Sequence, residues 1–139
     1  LSSALGAAQG YDQTYFLTGD LTLLHDLNAF ALQHELELRA TSGKPMPSII
    51  VILFNNGGGG IFDMLPQKSS DPYFERLFLT PPRVDFEACG KLFEVLYKKV
   101  SGLDDFRATL DSWSGTGGIH LLEVDFSLEG LASRFRQFQ

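Results

Sequence analysis

The stretch IIVILFNNGGGG, residues 49–60, places a polar turn and four consecutive glycines directly after six apolar residues. An uninterrupted apolar run rich in β-branched residues predicts a strand buried on both faces, as in a parallel sheet. Consecutive glycines are entropically costly, so we expect them where the chain turns sharply or a ligand approaches the backbone. The stretch therefore predicts a buried strand with a binding loop at its carboxyl end.

Strand and helix patterns alternate outward from this stretch. Further strands are predicted at 14–19, which we expect to be buried, and at 97–100 and 118–126. Helices are predicted near 1–10, 22–38, 71–78, 85–96, 103–113 and 127–138, with a short turn at 61–66. One apolar face is expected on the helix over 22–38, comprising Leu23, Leu24, Leu27, Phe30, Ala31 and Leu38. Alternation of this kind predicts an α/β fold, a mostly parallel sheet flanked by helices on both faces.

Composition excludes several function classes. The 139 residues suffice for one domain, and the net charge of −6 without a basic stripe argues against nucleic acid as a partner. Cys89 is the only cysteine, so the chain has no internal disulfide and no cysteine-based metal site. No apolar run approaches the roughly 20 residues of a transmembrane helix. The helix-like opening at Leu1 predicts an N-terminally incomplete piece of a longer protein.

A second strand-end motif, Gly19-Asp20, precedes the helix pattern at 22–38. Asp20 has two interpretations, a helix N-cap or a ligand-binding carboxylate. In parallel α/β sheets, ligands bind beyond the carboxyl ends of strands, where the Asn55-Asn56 turn also lies. Carboxylate, amide and carbonyl oxygens suit Mg²⁺, and helix N–H groups suit a diphosphate. The Walker A and Rossmann fingerprints are both absent.

The spacing of Gly-Asp and Asn-Asn resembles the cofactor motif of thiamine-diphosphate (ThDP) enzymes. GDLTLLHDLNAF, NNGGGGIFDMLP, FERLFLTPPRVDFEAC and LLEVDF resemble the C-terminal domain of the 2-succinyl-5-enolpyruvyl-6-hydroxy-3-cyclohexene-1-carboxylate (SEPHCHC) synthase family. That family belongs to menaquinone and phylloquinone biosynthesis. The resemblance implies a three-layer ThDP-binding domain over 1–139, in a protein of bacterial cytoplasm or plastid stroma.

The resemblance also implies a set of site residues. Asp20, Asn56 and the carbonyl of Gly58 would bind Mg²⁺, or Mn²⁺ in its place. Gly19, Leu21 and Thr22 would lie along the diphosphate, Ile61 and Phe62 would contact the thiazolium end, and Leu65 would line the substrate pocket. The separation of 36 residues between Asp20 and Asn56 exceeds the family's usual spacing. We place the excess in the polar loop 39–48, where extra length has little thermodynamic cost.

The implied reaction is decarboxylation of 2-oxoglutarate and addition of the resulting carbanion to isochorismate. No catalytic residue is identified in the chain. The activating Glu is expected on a pyrimidine-binding domain of another subunit, within a homo-oligomer (a dimer or a tetramer). We therefore expect the chain alone to be inactive.

Two alternatives stay open: another ThDP-dependent lyase or decarboxylase, and a non-catalytic fragment that binds ThDP and Mg²⁺ or a partner chain. A structural hydrogen bond is favoured over catalysis for His25, and surface ion pairing over substrate binding for Glu75 and Arg76. Arg83 is the weakest candidate for a substrate contact.

Overall fold

Four strands form one sheet in the computed structural model, which describes residues 1–66 and 72–125. They are Gln13–Gly19 (β1), Ser48–Asn55 (β2), Leu96–Val100 (β3) and Gly118–Asp125 (β4). All three strand pairings are parallel, in the spatial order β1-β2-β4-β3. The helices are Ser2–Ala8 (α1), Asp20–His25 (α2), Leu32–Thr41 (α3), Phe86–Leu92 (α4) and Leu103–Trp113 (α5). Short 3₁₀ helices span Leu27–Ala31 and Gly60–Met64, and a π-helical turn spans Glu75–Leu79.

Helices cover both faces of the sheet, as predicted, and β2 shows why. Its alternate residues belong to two separate cores. On one face lie Ile49, Val51 and Leu53, packed with Leu23, Phe30, Leu36 and Phe86. On the other lie Ile50 and Ile52, packed with Phe106, Leu110 and Trp113 of α5. Burying one aliphatic side chain of this size contributes about 1.5–3 kcal/mol, so β2 anchors both layers.

The prediction of one amphipathic helix over 22–38 is wrong. The chain there forms α2, a 3₁₀ helix and α3 in succession. At the first break, the Asp26 carboxylate accepts hydrogen bonds from the Ser2 backbone N–H (2.6 Å) and hydroxyl (2.8 Å). This contact holds Asp26 at the start of α1, and three residues of the predicted apolar face, Leu24, Ala31 and Leu38, are exposed. The buried face of α3 instead holds Gln33 and Leu36.

The prediction that β1 is buried is also wrong for one of its faces. Tyr15 is 48% exposed and Leu17 is 61% exposed, whereas Phe16 packs on the core of the opposite face. Among the described strands β1 lies at an edge of the sheet, and the core beneath α5 is formed by residues of β2, β3 and β4. The apolar pattern of residues 14–19 therefore predicts the strand correctly but does not predict that one of its faces is exposed.

The other predicted elements are confirmed with adjusted ends, except that the described part of the predicted helix over 71–78 forms a π-helical turn, Glu75–Leu79. Asp85 caps α4 by accepting a 3.1 Å hydrogen bond from the Ala88 N–H, but the helix ends at Leu92. The 3₁₀ helix Gly60–Met64 forms the predicted turn. The predicted helix over 127–138 and the Asp71 start signal lie outside the described residues. Within 1–66 and 72–125, no helix is long and apolar enough to cross a membrane.

Candidate functional site

Asp20 joins the carboxyl ends of β1 and β2. Its carboxylate is 2% exposed; Oδ2 accepts a 2.7 Å hydrogen bond from the Gly58 N–H, and Oδ1 accepts one of 2.8 Å from the Leu21 N–H. The N-cap of α2 is Gly19, so the interpretation of Asp20 as an N-cap is wrong. Among the described residues no cationic side chain pairs with the buried carboxyl group of Asp20.

Asn56, in the loop that follows β2, supplies a second oxygen. Its Oδ1 atom is buried and has no hydrogen-bond partner among the residues that the structure describes. A buried oxygen left unpaired is destabilising in the free protein, which is the situation expected of a metal ligand without its metal. The Gly58 carbonyl accepts a 2.8 Å hydrogen bond from the Gly60 N–H and keeps a second lone pair. Carboxylate, amide and carbonyl oxygens together fit a hard cation such as Mg²⁺.

Acidic clusters of the usual metal-binding kind play no part in this site. No group of three His, Cys, Asp or Glu side chains able to hold a metal occurs in the part of the chain that the structure describes. A metal bound here would depend on one carboxylate, neutral protein oxygens and ligand phosphates. That donor set is typical of Mg²⁺ bound together with a phosphorylated ligand.

The glycines of the loop are needed for two reasons. Gly57 and Gly58 have φ of +78° and +131°, which side chains disfavour. Gly58 and Gly59 also lie against the backbone of the π-helical turn: Gly59 N–H donates a 2.7 Å hydrogen bond to the Leu79 carbonyl, and a Cβ on Gly58 would overlap that same oxygen. Close packing of two backbones therefore explains two of the four glycines without a ligand.

The residues expected at the thiazolium and substrate ends follow the loop. Ile61 and Leu65 are 61% and 40% exposed. Phe62 is partly buried, and its ring centroid lies 5.7 Å from that of Phe78. Phe78 also stacks with Phe74 at 6.1 Å. The rings of Phe62, Phe78 and Phe74 thus connect the loop to the π-helical turn. Ile61 and Leu65 stay exposed and available to contact a ligand or another chain.

Glu123 is the functional-site neighbour that the sequence reasoning missed. It is 4% exposed at the carboxyl end of β4, where Oε1 accepts a 2.8 Å hydrogen bond from Asn55 Nδ2 and Oε2 accepts one of 2.7 Å from the Tyr97 hydroxyl. Burial, and secondly the bond to Glu123, raise the pKa of Tyr97. The available signal was the single charge in the apolar run IHLLEV.

The remaining charged candidates lie on the surface. His25, Glu75, Arg76 and Arg83 are all exposed. The ion pairing expected of Glu75 and Arg76 is not found in the described portion of the chain. Arg83 has a positive φ of 49°, a conformation uncommon for a residue with a side chain.

The fold is shared with solved ThDP-dependent enzymes. It aligns with benzoylformate decarboxylase from Polynucleobacter necessarius at a TM-score of 0.68 and 20% identity, over 90% of this chain and 22% of that one. It also aligns with the ThDP-dependent 4-hydroxybenzoylformate decarboxylase of Rhodococcus jostii RHA1 at a TM-score of 0.66 and 20% identity, over 91% of this chain and 23% of that one. The chain therefore has an α/β fold that these enzymes also contain.

The chain is also similar in sequence to curated proteins that carry one name. SEPHCHC synthase of Trichodesmium erythraeum is 39% identical over 124 residues, 89% of this chain and 20% of the relative. The synthase of Lactococcus lactis subsp. lactis is 42% identical over 123 residues, which are 88% of this chain and 20% of the relative. The synthase of Bacillus pumilus is 35% identical over 138 residues, which are 99% of this chain and 22% of the relative. The chain is a homologue of the SEPHCHC synthases and spans about one fifth of their length. No protein-family model matches it.

Proposed function

We propose that residues 1–139 form the ThDP- and Mg²⁺-binding domain of a SEPHCHC synthase, which decarboxylates 2-oxoglutarate and adds the resulting four-carbon unit to isochorismate. One observation carries this proposal: the buried Oδ1 of Asn56, which has no partner among the described residues, lies in the loop that the buried carboxylate of Asp20 holds by the Gly58 N–H. ThDP supplies the carbanion chemistry when bound, and the protein supplies binding and orientation.

The chain's own groups then have distinct roles. Asp20, Asn56 Oδ1 and the Gly58 carbonyl bind Mg²⁺, or Mn²⁺ in its place. The two N–H groups bonded to Asp20 fix its orientation, so the carboxylate needs little rearrangement on binding a cation. Gly19, Leu21 and Thr22, at the start of α2, lie along the diphosphate.

A second subunit would complete the site. Ile61 and Phe62 contact the thiazolium end, and Leu65 lines the substrate pocket. Exposed apolar side chains on the adjoining segments, such as Leu77 (61% exposed), suit coverage by the pyrimidine-binding domain of another subunit in a homo-oligomer. Glu123 is unsuited to activating the cofactor because both its oxygens are bonded within the sheet. The proposal places the activating Glu on the other domain, as the resemblance implies, so the chain alone does not release CO₂ from 2-oxoglutarate.

Isothermal titration of ThDP into the chain, with Mg²⁺ and with excess chelator, tests the proposal. We expect binding that requires Mg²⁺ and is lost in Asp20→Asn, which keeps the shape of the side chain but removes its charge. Glu35→Gln removes the same charge from an exposed position on α3 and should bind as the unmodified chain does. Binding that ignores the chelator, or survives Asp20→Asn, would contradict the proposed metal site.

A further inference from the structure

Glu123 is a buried charge that the proposed chemistry does not use. Its two oxygens accept from different strands, Oε1 from Asn55 of β2 and Oε2 from Tyr97 of β3. Lys99 Nζ is 3.7 Å from Oε1 and closer to Asp125, at 2.5 Å. A carboxylate that is 4% exposed and bonded on both oxygens is rigidly placed.

Asn55 connects Glu123 to the loop over residues 56–60, here called the glycine loop. Its Nδ2 donates to Glu123 at 2.8 Å, and its Oδ1 accepts a 3.2 Å hydrogen bond from the Gly57 N–H. A carboxylate can only accept, so it selects the NH₂ end of the amide and leaves the oxygen end for Gly57. Two buried carboxylates thus fix the two ends of one short segment, Glu123 through Asn55 and Asp20 through Gly58.

We propose that Glu123 is a positioning residue that acts through Asn55 to hold Asn56 and Gly58 in the conformation that binds the metal. This inference rests on the proposed function for the metal itself. Its physical basis is general: groups that orient metal ligands, without touching the metal, typically change metal affinity about 10–100-fold when removed. The role concerns binding geometry and requires no proton transfer by Glu123.

Two substitutions of equal side-chain length test the role. Glu123→Met removes the acceptor, whereas Glu123→Gln keeps an oxygen for Asn55 Nδ2. With ThDP present and Mn²⁺ binding followed by electron paramagnetic resonance, we expect Glu123→Met to weaken Mn²⁺ binding about tenfold or more and Glu123→Gln to restore most of it. Tyr97→Phe removes the other bond to Glu123 but keeps the bond to Asn55, so it should weaken Mn²⁺ binding less than Glu123→Met does.

Amide hydrogen exchange measured by NMR without cofactor gives a second readout. Glu123→Met should accelerate exchange at Gly57 and leave Val51, in the centre of β2, unchanged. Glu123→Gln should change neither, and Tyr97→Phe should affect Gly57 less than Glu123→Met does. If Glu123→Met does not fold, Asn55→Ala removes the same bond from its other end and should reproduce both effects.

The outcomes separate the two proposals. Unchanged Mn²⁺ affinity and unchanged Gly57 exchange in the variants that lack the Asn55–Glu123 bond would overturn the role of Glu123. Equal acceleration at Gly57 and Val51 would also overturn it, because that result indicates general destabilisation. Failure of the unmodified chain to bind Mn²⁺ with ThDP would contradict the proposed function, while Gly57 exchange would still decide whether Glu123 positions the loop.

Discussion

The backbone N–H of Gly58 donates a 2.7 Å hydrogen bond to Asp20 Oδ2, across 38 positions of sequence. This bond closes the loop after β2 onto the start of α2. The π-helical turn confines the loop from its other side, because the Leu79 carbonyl accepts the Gly59 N–H at 2.7 Å. The conformation of the loop thus depends on two segments distant in sequence.

Replacing Gly58 with alanine should disrupt this arrangement. Alanine is strained at a φ of +131°, and its Cβ would overlap the Leu79 carbonyl oxygen. We expect a loss of free energy of unfolding of about 1–3 kcal/mol from the backbone strain alone, with the steric overlap adding to it. Urea unfolding followed by Trp113 fluorescence measures the change.

Gly57→Ala is the matched control for that substitution. Its φ is +78°, but a Cβ there meets nothing within 4 Å. The expected loss is about 1–2 kcal/mol, the backbone contribution only. Equal losses at the two positions would show that the contact with Leu79 has no energetic weight.

Stability should depend on the protonation of His120. The side chain is 1% exposed, and its ring lies 5.2 Å from that of Trp113. Burial lowers its pKa below 6.5. Below pH 6.5 the unfolded chain binds a proton that the folded chain excludes, so the free energy of unfolding should fall as pH drops and level off above that value.

His120→Phe should remove this contribution while keeping a ring against Trp113. Urea unfolding at a series of pH values, compared between the chain and the variant, isolates the histidine. His25 and His34 are exposed and present in both proteins, so they cancel in the comparison. An identical decline in both proteins would mean that His120 is not responsible.

Gln33 should stabilise the junction between α3 and β4. The side chain is 8% exposed; Oε1 accepts a 2.8 Å hydrogen bond from the Ile119 N–H, and Nε2 donates one of 2.7 Å to Glu37. Gln33→Met keeps the length but leaves the buried Ile119 N–H unpaired, which should reduce the free energy of unfolding by about 1–3 kcal/mol. Glu37→Gln leaves the Ile119 bond intact and should have little effect in the same urea measurement.

Removing the cap of α4 should have a smaller effect. Asp85 accepts a 3.1 Å hydrogen bond from the Ala88 N–H. Asp85→Ala should lower the free energy of unfolding by about 1 kcal/mol, and Asp85→Ser should recover most of that loss because serine also caps helices well. Thermal unfolding of the unmodified chain and the two variants provides the measurement. Equal unfolding midpoints for Asp85→Ala and the unmodified chain would contradict a capping role.

Sequence patterns predicted those features that depend on neighbouring residues. The apolar run of β2, the Asp85 cap and the alternation of strands with helices are local signals, and all are confirmed. The strand-end positions of Asp20 and Asn56 were predictable for the same reason. Whether these two residues bind a metal stays a prediction.

Features that depend on distant partners could not be predicted. The helix over 22–38 breaks where Asp26 contacts the start of a helix 24 positions earlier. The burial of Glu123 is compensated by Asn55, 68 positions away, and by Tyr97. The contact of the glycine loop with the Leu79 carbonyl joins two irregular segments without a shared motif. Spacing rules within one element contain no information about such pairs.

The two-sided burial of β2 has a consequence for strand pairing. A strand that is apolar on both faces lacks the polar alternation that normally fixes its alignment with its neighbours. Sliding β2 by two residues along β4 would keep its aliphatic residues among other aliphatic residues, but it would separate Asn55 from Glu123 and remove the 2.8 Å hydrogen bond to the buried Glu123 carboxylate. The hydrogen bond at the strand ends therefore makes the native alignment lower in free energy than the slipped one, a distinction that the apolar core of β2 does not make.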